Sequence, residues 1–529
     1  MERDDLTAKQ KDYAVFLPAL SGFYATYVGK QRHDPNNVPP NRIPANFENG
    51  IEGMNWLNPD AGYFTYQWSL YSAGHAELDI NKFSPKEDMI RNRDRSRSFL
   101  LGDSGGFQIG KGVWEGDWKD PNCPKAQKKR EQVLAWMDAY MDRGMILDIP
   151  AWVRKIPAGR AATGINTFQD AVEGTYINNE YFMKHRTGAC KFLNVLQGET
   201  HGEADDWYDR MKKYCDPKQY DMPFEGWAMG GQNMCDVHLI LHRLVALRFD
   251  GLLEKGLHDW MHFLGTSKLE WAVMLTDIQR AVRKYHNPNF TISFDCASPF
   301  LASANGQIYT QAETPHQGKW CYRMSGSVDN KKYAKDTRKF SDAVLQDKVF
   351  ETFTDSPISN RVNINDICFY APGDLNKIGK EGRTSWDSFS YALQMGHNVW
   401  THLYAVQEAN RQYDNGLYPA MMAVHTANKK SHMQYDDHNY FKDIVDAIFA
   451  TSDRGEAEKL IQHYEKYWRK IPGTRGATGD NTITSMPIFN TLFEEESVEP
   501  VEVVEEHHID DSGFDEAALE QLEGELDNE

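Results

Sequence analysis

No window of the chain approaches eighteen consecutive apolar residues, so no segment is built to cross a membrane as a helix. The seven cysteines are an odd number without regular spacing, and no apolar stretch opens the chain. That pattern predicts a protein of the reducing cytoplasm, not a disulfide-stapled secreted one. No internal period marks a solenoid, and no Gly-x-Gly-x-x-Gly turn follows a first strand to support a dinucleotide-binding open sheet. Excess positive charge is missing as well: 58 Lys and Arg face 77 Asp and Glu, a formal charge of -19. At first sight this argues against a partner made of phosphates, which bind by letting Lys and Arg displace counterions. The average misleads. Sixteen acidic residues and no Lys or Arg lie between Glu494 and Glu529, and removing them leaves the body at about -3. A near-neutral body can hold a local basic groove, while residues 491–529 have the composition of a solvated, disordered acidic tail.

What is present is a repeated unit. Short apolar runs end in a polar residue or glycine, and a helical stretch follows each one. The run Phe99-Leu100-Leu101-Gly102 ends at Asp103, Met145-Ile146-Leu147 at Asp148, and Phe192 to Leu196 at Gln197. Trp227-Ala228-Met229 ends at Gly230-Gly231, Met261-His262-Phe263-Leu264 at Gly265, and Phe290 to Phe294 at Asp295. These six ends are 30 to 49 residues apart. Amphipathic segments lie between them at 125–143, 205–215, 235–255 and 268–285. Strand and helix alternating at this period predict a parallel sheet with helical crossovers, closed into an α/β (β/α)8 barrel whose chemistry sits on loops at the strands' C-terminal ends.

The remaining stretches place less. Residues 1–94 are expected to hold a first barrel strand within 13–21, an irregular Asn/Pro/Gly-rich loop at 31–60, and an aromatic run at 62–71 that reads as core or as a surface for stacking bases. Residues 95–300 form the expected catalytic core. Residues 301–490 are expected to supply an insertion, the remaining barrel units, a strand at 366–370 and C-terminal helices over 385–412 and 441–467. Arg91, Arg93, Arg95 and Arg97 alternate just before the strand at 98, and the loop Arg154 to Gly164, with Lys155 and Arg160, returns in altered form at 469–479. Each set is a solvated surface or a phosphate contact.

The central stretch, Gly102-Asp103-Ser104-Gly105-Gly106-Phe107-Gln108, presents a carboxylate beside a loop with little side-chain bulk, where a flat ligand could approach the backbone. Asp103 to Gln108 resembles the signature of the tRNA-guanine transglycosylase family. Four further segments match in order: Leu147-Asp148; Val195-Leu196-Gln197-Gly198; Gly226 to Gly231 together with Phe263-Leu264-Gly265; and Phe294-Asp295-Cys296. The resemblance covers roughly residues 95 to 300. It implies a (β/α)8 barrel that exchanges a guanine already in a polynucleotide for a free 7-deazaguanine. It also implies Asp295 as nucleophile, Asp103 as general acid/base, and Asp148 and Gln197 reading the base edge. Gly230 and Gly231 would hold the base carbonyl, Phe107 and Leu264 would flank the ring, and Ser104 would lie beside it.

The residue types fit that chemistry independently. Exchange at an anomeric carbon with retention needs one carboxylate to bond to C1′ and a second to manage protons. An ionised Asp148 accepts from the N1–H and exocyclic amine of guanine, a pattern adenine lacks. Each aspartate could instead be a helix cap. Cys296 beside Asp295 raises a thiol nucleophile, but no histidine partner is evident in the sequence.

The tRNA-acting members of the family carry a Cys-x-Cys-x-x-Cys zinc cluster after the nucleophile, and nothing here matches it. After Cys296 only Cys321 and Cys368 remain, too few and too far apart for that cluster; His425, His432 and His438 could assemble a site with them but read as ordinary surface or helix histidines, so no metal or other cofactor is expected. Gln232 stands where bacterial relatives have an apolar residue. These departures look more like the transglycosylases that place 7-deazaguanines in DNA, found in bacterial modification clusters and phages. DNA is therefore the expected partner, with tRNA as the alternative, a free 7-deazaguanine as co-substrate, no membrane, and the cytoplasm (a host's, if phage-borne) as location. Pairing with a second copy is left open. A non-catalytic nucleic-acid-binding barrel and an ordinary glycosidase are the competing classes.

Overall fold

The computed structural model describes residues 4–230, 236–313, 320–346, 353–369, 385–419, 422 and 440–468. Eight parallel strands form one sheet: β1 (Val15–Pro18), β2 (Trp68–Ser72), β3 (Phe99–Asp103), β4 (Arg143–Met145), β5 (Lys191–Leu196), β6 (Gly226–Met229), β7 (Trp260–Phe263) and β8 (Thr291–Cys296). From β2 to β8 each pairs with its neighbour in sequence, and β8 returns to β1 in the register Asp295 to Leu17. The seam between β1 and β2 closes at the bridge Ala19–Leu70, where Leu20 N donates to Leu70 O at 2.9 Å and Ser69 Oγ to Pro18 O at 2.7 Å. Pro18 has no N–H for a longer ladder, so the seam is narrow. The result is a (β/α)8 barrel.

Helices cover the outside: α1 (Gly22–Lys30), α2 (Pro124–Tyr140), α3 (Phe168–His185), α4 (His201–Met211), α5 (Val237–Phe249) and α6 (Leu269–Tyr285). Side-chain caps start several of them just past a strand, with Ser21 accepting from Tyr24 N, Thr200 from Glu203 N and Asp236 from Leu239 N. Their buried faces and the outward residues of the strands make one continuous core. Inside the barrel, alternation along β3, β7 and β8 stacks layers. Phe99 lies on Trp260 at 4.7 Å with the Arg143 guanidinium over the indole at 5.2 Å, closing the floor.

The aromatic run at 62–71 belongs to this core: Tyr63, Phe64, Tyr66 and Tyr71 are buried, and the run leads into β2. The expectation of further barrel units in 301–490 is corrected, because all eight staves lie between Val15 and Cys296. After the barrel come a short helix α7 (Ser298–Ala304), an antiparallel hairpin of β9 (Gln307–Glu313) and β10 (Cys321–Gly326), and the helices α8 (Ser388–Asp414), α9 (Phe441–Ala450) and α10 (Arg454–His463). α8 is buried along most of its length and packs on α6, α7 and β9; α9 packs on α6 and α10 on α5. The strand expected at 366–370 is instead a helical turn, Ile364–Ile367. A capping box between Asn363 and Asp366 starts it and buries Ile364 and Ile367, three apart, on one side. The helix expected over 441–467 is broken at Thr451, and Asp453 caps a new one. The acidic tail, the second basic loop at 469–479, and His425, His432 and His438 lie outside the described residues.

Candidate active site

The chamber at the C-terminal mouth is built from the ends of β3, β4, β5, β7 and β8. Asp295 leaves β8 pointing inward, 8% exposed, with one carboxylate oxygen fully engaged. Its Oδ1 accepts from Gly265 N at 2.9 Å and from His262 Nε2 at 3.0 Å. Gly265 has φ +71°, a left-handed conformation that turns its N–H toward the carboxylate. His262, wholly buried, places Nδ1 2.8 Å from Ser293 Oγ, which lies 2.8 Å from Trp260 Nε1. The indole can only donate, so Ser293 accepts there. Asp295, as a carboxylate, accepts from the Nε2–H of His262, and Ser293 Oγ backs the ring at Nδ1. Two donors thus hold Oδ1, and among the described residues none reaches Oδ2.

Asp103 ends β3 opposite its register partner Ser72, whose hydroxyl donates to Asp103 Oδ2 at 2.6 Å and accepts from Gly74 N at 3.1 Å. Asp103 is half-buried. This loss of water pushes its carboxyl above the usual range; the Ser72 bond opposes the shift and the charge of Asp295 adds to it. Gly105 next to it has φ +79°, and a Cβ there would meet the Trp114 ring at 2.5 Å.

Asp148 is pinned from outside the barrel, where Asn178 Nδ2 on α3 donates to Leu147 O at 2.6 Å and Ile149 N donates to Thr175 Oγ1 at 2.8 Å. Burial raises the Asp148 carboxyl to about 7, against the hydrogen bond from Gln197 Nε2 to its Oδ2 at 2.7 Å and with a further push from Asp103. Electrostatic coupling therefore runs from Asp295 to Asp103 and from Asp103 to Asp148, and all three carboxylates face one space. Glycines leave that space open. A Cβ on Gly106 would meet Asp148 O at 3.0 Å, and one on Gly230 would meet Gln197 Nε2 at 2.8 Å and Leu264 Cδ1 at 3.3 Å.

The remaining expected residues divide. Leu264 and Gly230 adjoin Gln197, although Gly230 N is committed to Leu196 O at 2.9 Å. Ser104 is 1% exposed, and its hydroxyl has no partner among the described residues, so an acceptor or donor on a bound base would satisfy it. Phe107 is half-buried, its ring 5.8 Å from that of Trp152. Gly231 and Gln232 lie outside the described residues.

The phosphate role for Arg93, Arg95 and Arg97 is corrected. They precede β3 and so lie at the barrel floor, about 15 Å of strand from Asp103. Acidic partners hold them there: Arg93 and Arg95 bind Asp142 at 2.7 and 3.1 Å, and Arg97 binds Asp60 and Asp94, each at 2.6 Å. Arg93 is buried and ties Ser98 O and Tyr140 O as well. Lys155 and Arg160 do lie on the mouth side, after β4, but Lys155 pairs with Glu199 at 3.0 Å and Arg160 donates to Arg154 O at 3.3 Å.

Cys296 has the histidine partner the sequence hid: His402 Nε2 on α8, 3.9 Å from its sulfur. His402 is stacked on Phe16, outside the barrel wall, and burial drives its pKa down to about 3. A neutral imidazole gives no charge to stabilise a thiolate, and the thiol faces away from Asp295. Among the described residues no group of three or more His, Cys, Asp or Glu could hold a metal ion, and no helix is long and apolar enough to cross a membrane.

Sequence reasoning missed His262, Ser293 and Ser72. Two-residue alternation was the available signal, since it puts Trp260, His262 and Leu264 on one face of β7, and Ser293 and Asp295 on one face of β8.

No protein-family model and no curated protein matches the chain. Among solved structures, a psychrophilic glycoside hydrolase family 10 endo-beta-1,4-xylanase aligns over 55% of this chain and 89% of its own, at 14% identity and a TM-score of 0.28.

Proposed function

We propose that this protein is a base-exchange transglycosylase that replaces guanine in DNA with a free 7-deazaguanine such as 7-cyano-7-deazaguanine. The observation that carries the reading is the division of labour among three carboxylates in one chamber: Asp295 is held by donors on one oxygen, Asp103 is made proton-retentive by burial, and Asp148 is paired with an amide.

In this reading Asp295 Oδ2 attacks C1′ of the target nucleotide. The C1′–N9 bond breaks, its electron pair passes to the purine, and Asp103 supplies the proton with which guanine leaves. The 7-deazaguanine then binds in the same slot and gives its N9 proton to Asp103. Its N9 attacks C1′, and the C1′–O bond to Asp295 breaks. The phosphodiester chain is untouched, and two inversions give retention. The His262 and Gly265 donors hold Asp295 in one rotamer, so little reorganisation precedes attack. Asp148, ionised when guanine binds, accepts from N1–H and the amine, with Gln197 beside it. The target nucleotide leaves its stack to reach the chamber, at a cost of about a few kcal/mol in a duplex.

Incubation with radiolabelled 7-cyano-7-deazaguanine and either duplex DNA or tRNA tests this. Label in DNA supports the proposal. Label in tRNA alone transfers the same chemistry to the other polynucleotide, and oligonucleotide binding without label in either favours a non-catalytic subunit.

A further inference from the structure

The strand end that carries Asp103 leads into a basic stretch. The loop after β3 ends at Cys123 and α2 then descends toward the floor, so the first turns of α2 stand at the level of the mouth. They read Pro124-Lys125-Ala126-Gln127-Lys128-Lys129-Arg130, four cations and no carboxylate. Arg130 is buried and donates to Asn178 Oδ1 at 2.6 Å. Lys125, Lys128 and Lys129, spaced i, i+3 and i+4, share one face and repel one another. Burial holds the Lys129 ammonium below its usual pKa, the charge of Lys128 adds to the shift, and Glu77 opposes it.

That face is one wall of a groove of about 350 Å³, and Val113, Trp114 and Glu115 of the loop form the other. Glu115 is the single carboxylate of the lining, and its pair with Lys125 at 2.6 Å is exposed at both ends, where water and salt weaken it. Lys129 lies 4.8 Å from the Trp114 ring, and among the described residues neither it nor the exposed Lys128 has an acidic partner within ion-pair distance. Two contacts tie the groove to the chamber. Trp114 packs on Gly105, whose N–H donates to Asp103. Gln108 O accepts from Val113 N and Trp114 N at 2.9 and 3.1 Å, which anchors the loop to the helical turn bearing Phe107. On the same loop Lys111, without an acidic partner among the described residues, places its ammonium 4.9 Å from the Phe107 ring, the ring assigned to flank the base.

We propose that this groove carries the polynucleotide strand flanking the target nucleotide, with backbone phosphates on Lys111, Lys128 and Lys129 and the 60% exposed Val113 side chain against a neighbouring sugar. The inference rests on the polynucleotide substrate proposed above and adds where that chain leaves the slot. Like charges crowded on one helix face destabilise it, and a polyanion offsets that repulsion. Contacts to phosphates position the strand and read no sequence, so the choice of target stays with Asp148 and Gln197.

The test is fluorescence anisotropy of an end-labelled single-stranded deoxyoligonucleotide with one central guanine, titrated with the full-length protein across a salt series. Free guanine binding is measured in parallel by calorimetry. The triple variant Lys111→Ala, Lys128→Ala, Lys129→Ala should lose about 30- to 100-fold in oligonucleotide affinity, and the slope of log K against log salt should flatten by about 2. Lys128→Glu, one change at an exposed position, should lose about tenfold. Guanine binding should be untouched in both. A control with Lys184→Ala and Lys191→Ala, both exposed at the floor end of the barrel, should bind the oligonucleotide as the wild type does. Wild-type affinity and slope in the triple variant would overturn the proposal. So would an equal loss in the floor control, which would mark general attraction, or an equal loss of guanine binding, which would mark a disturbed slot. Displacement of the oligonucleotide by inorganic phosphate where chloride of equal ionic strength fails would assign the lysines to a lone phosphate and overturn it too. Because exchange is not the readout, failure of base exchange would leave the groove's role standing, and a groove that binds nothing would leave guanine chemistry standing.

Discussion

His262 Nε2 lies 3.0 Å from Asp295 Oδ1, and the chain Trp260 to Ser293 to His262 holds the ring in that orientation. The proposed nucleophile is thus aimed by side chains that never touch the substrate. Hydrogen bonds to charged groups contribute about 1.5–3 kcal/mol. His262→Ala should therefore slow formation of the sugar–enzyme adduct by about 10- to 150-fold, while guanine affinity stays within about twofold. A single-turnover rate beside a guanine titration checks both halves; equal losses in the two would demote His262 to a packing residue.

Asp148 titrates where the experiment is easy. Guanine needs the carboxylate, and burial has raised its pKa to about 7. Guanine affinity should hold above pH 8 and fall by up to about tenfold per pH unit below about 7, with a proton released on binding at neutral pH. Calorimetry in two buffers of different ionisation enthalpy reads the proton directly.

The same shift has a consequence for stability. Because the folded-state pKa lies above the unfolded one, the protonated carboxyl's contribution is complete below the unfolded value of 3.8 and is lost as pH rises through about 7. Asp148→Asn keeps an acceptor for Gln197 and abolishes the penalty. Its melting temperature should exceed wild type at pH 8 and match it near pH 4.

Gly230→Ala tests the slot without altering a polar group. The new methyl would press on Gln197 Nε2 and Leu264. The amide should be pushed from Asp148, lowering guanine affinity by about tenfold, with the melting temperature nearly unchanged. Unaltered guanine binding would show that the base lies elsewhere.

How much of this was visible in the sequence depends on where each residue's partner lies. The six strand ends from Asp103 to Asp295 were legible because a buried parallel strand is a local apolar run with a polar stop. β2 was not, since Trp68 to Ser72 continues an aromatic segment without a break in composition. Arg93 and Arg95 were misplaced because alternating cations look alike whether they face a phosphate or Asp142, which is 45 or more residues away in the chain. His402 escaped for the same reason, 106 residues from Cys296. Local pattern reports elements, whereas partnership across the fold decides what a charged or nucleophilic group can do.

Arg93 now reads as a structural residue. Removing the buried guanidinium takes a donor from two carbonyls and leaves Asp142 to Arg95 and Leu100 N, at a cost of about 1–3 kcal/mol. Arg93→Ala should lower the melting temperature by several degrees yet leave oligonucleotide affinity per folded molecule at the wild-type value. A selective loss of affinity would return it to the binding surface.

The most direct test of the account is to trap the covalent intermediate by quenching the protein with a guanine-containing oligonucleotide and mapping the modified residue by mass spectrometry. The sugar should be found on Asp295, be absent in Asp295→Ala together with all exchange, and still form partly in Asp103→Asn. A sugar attached to any other residue, or full exchange by Asp295→Ala, would contradict it.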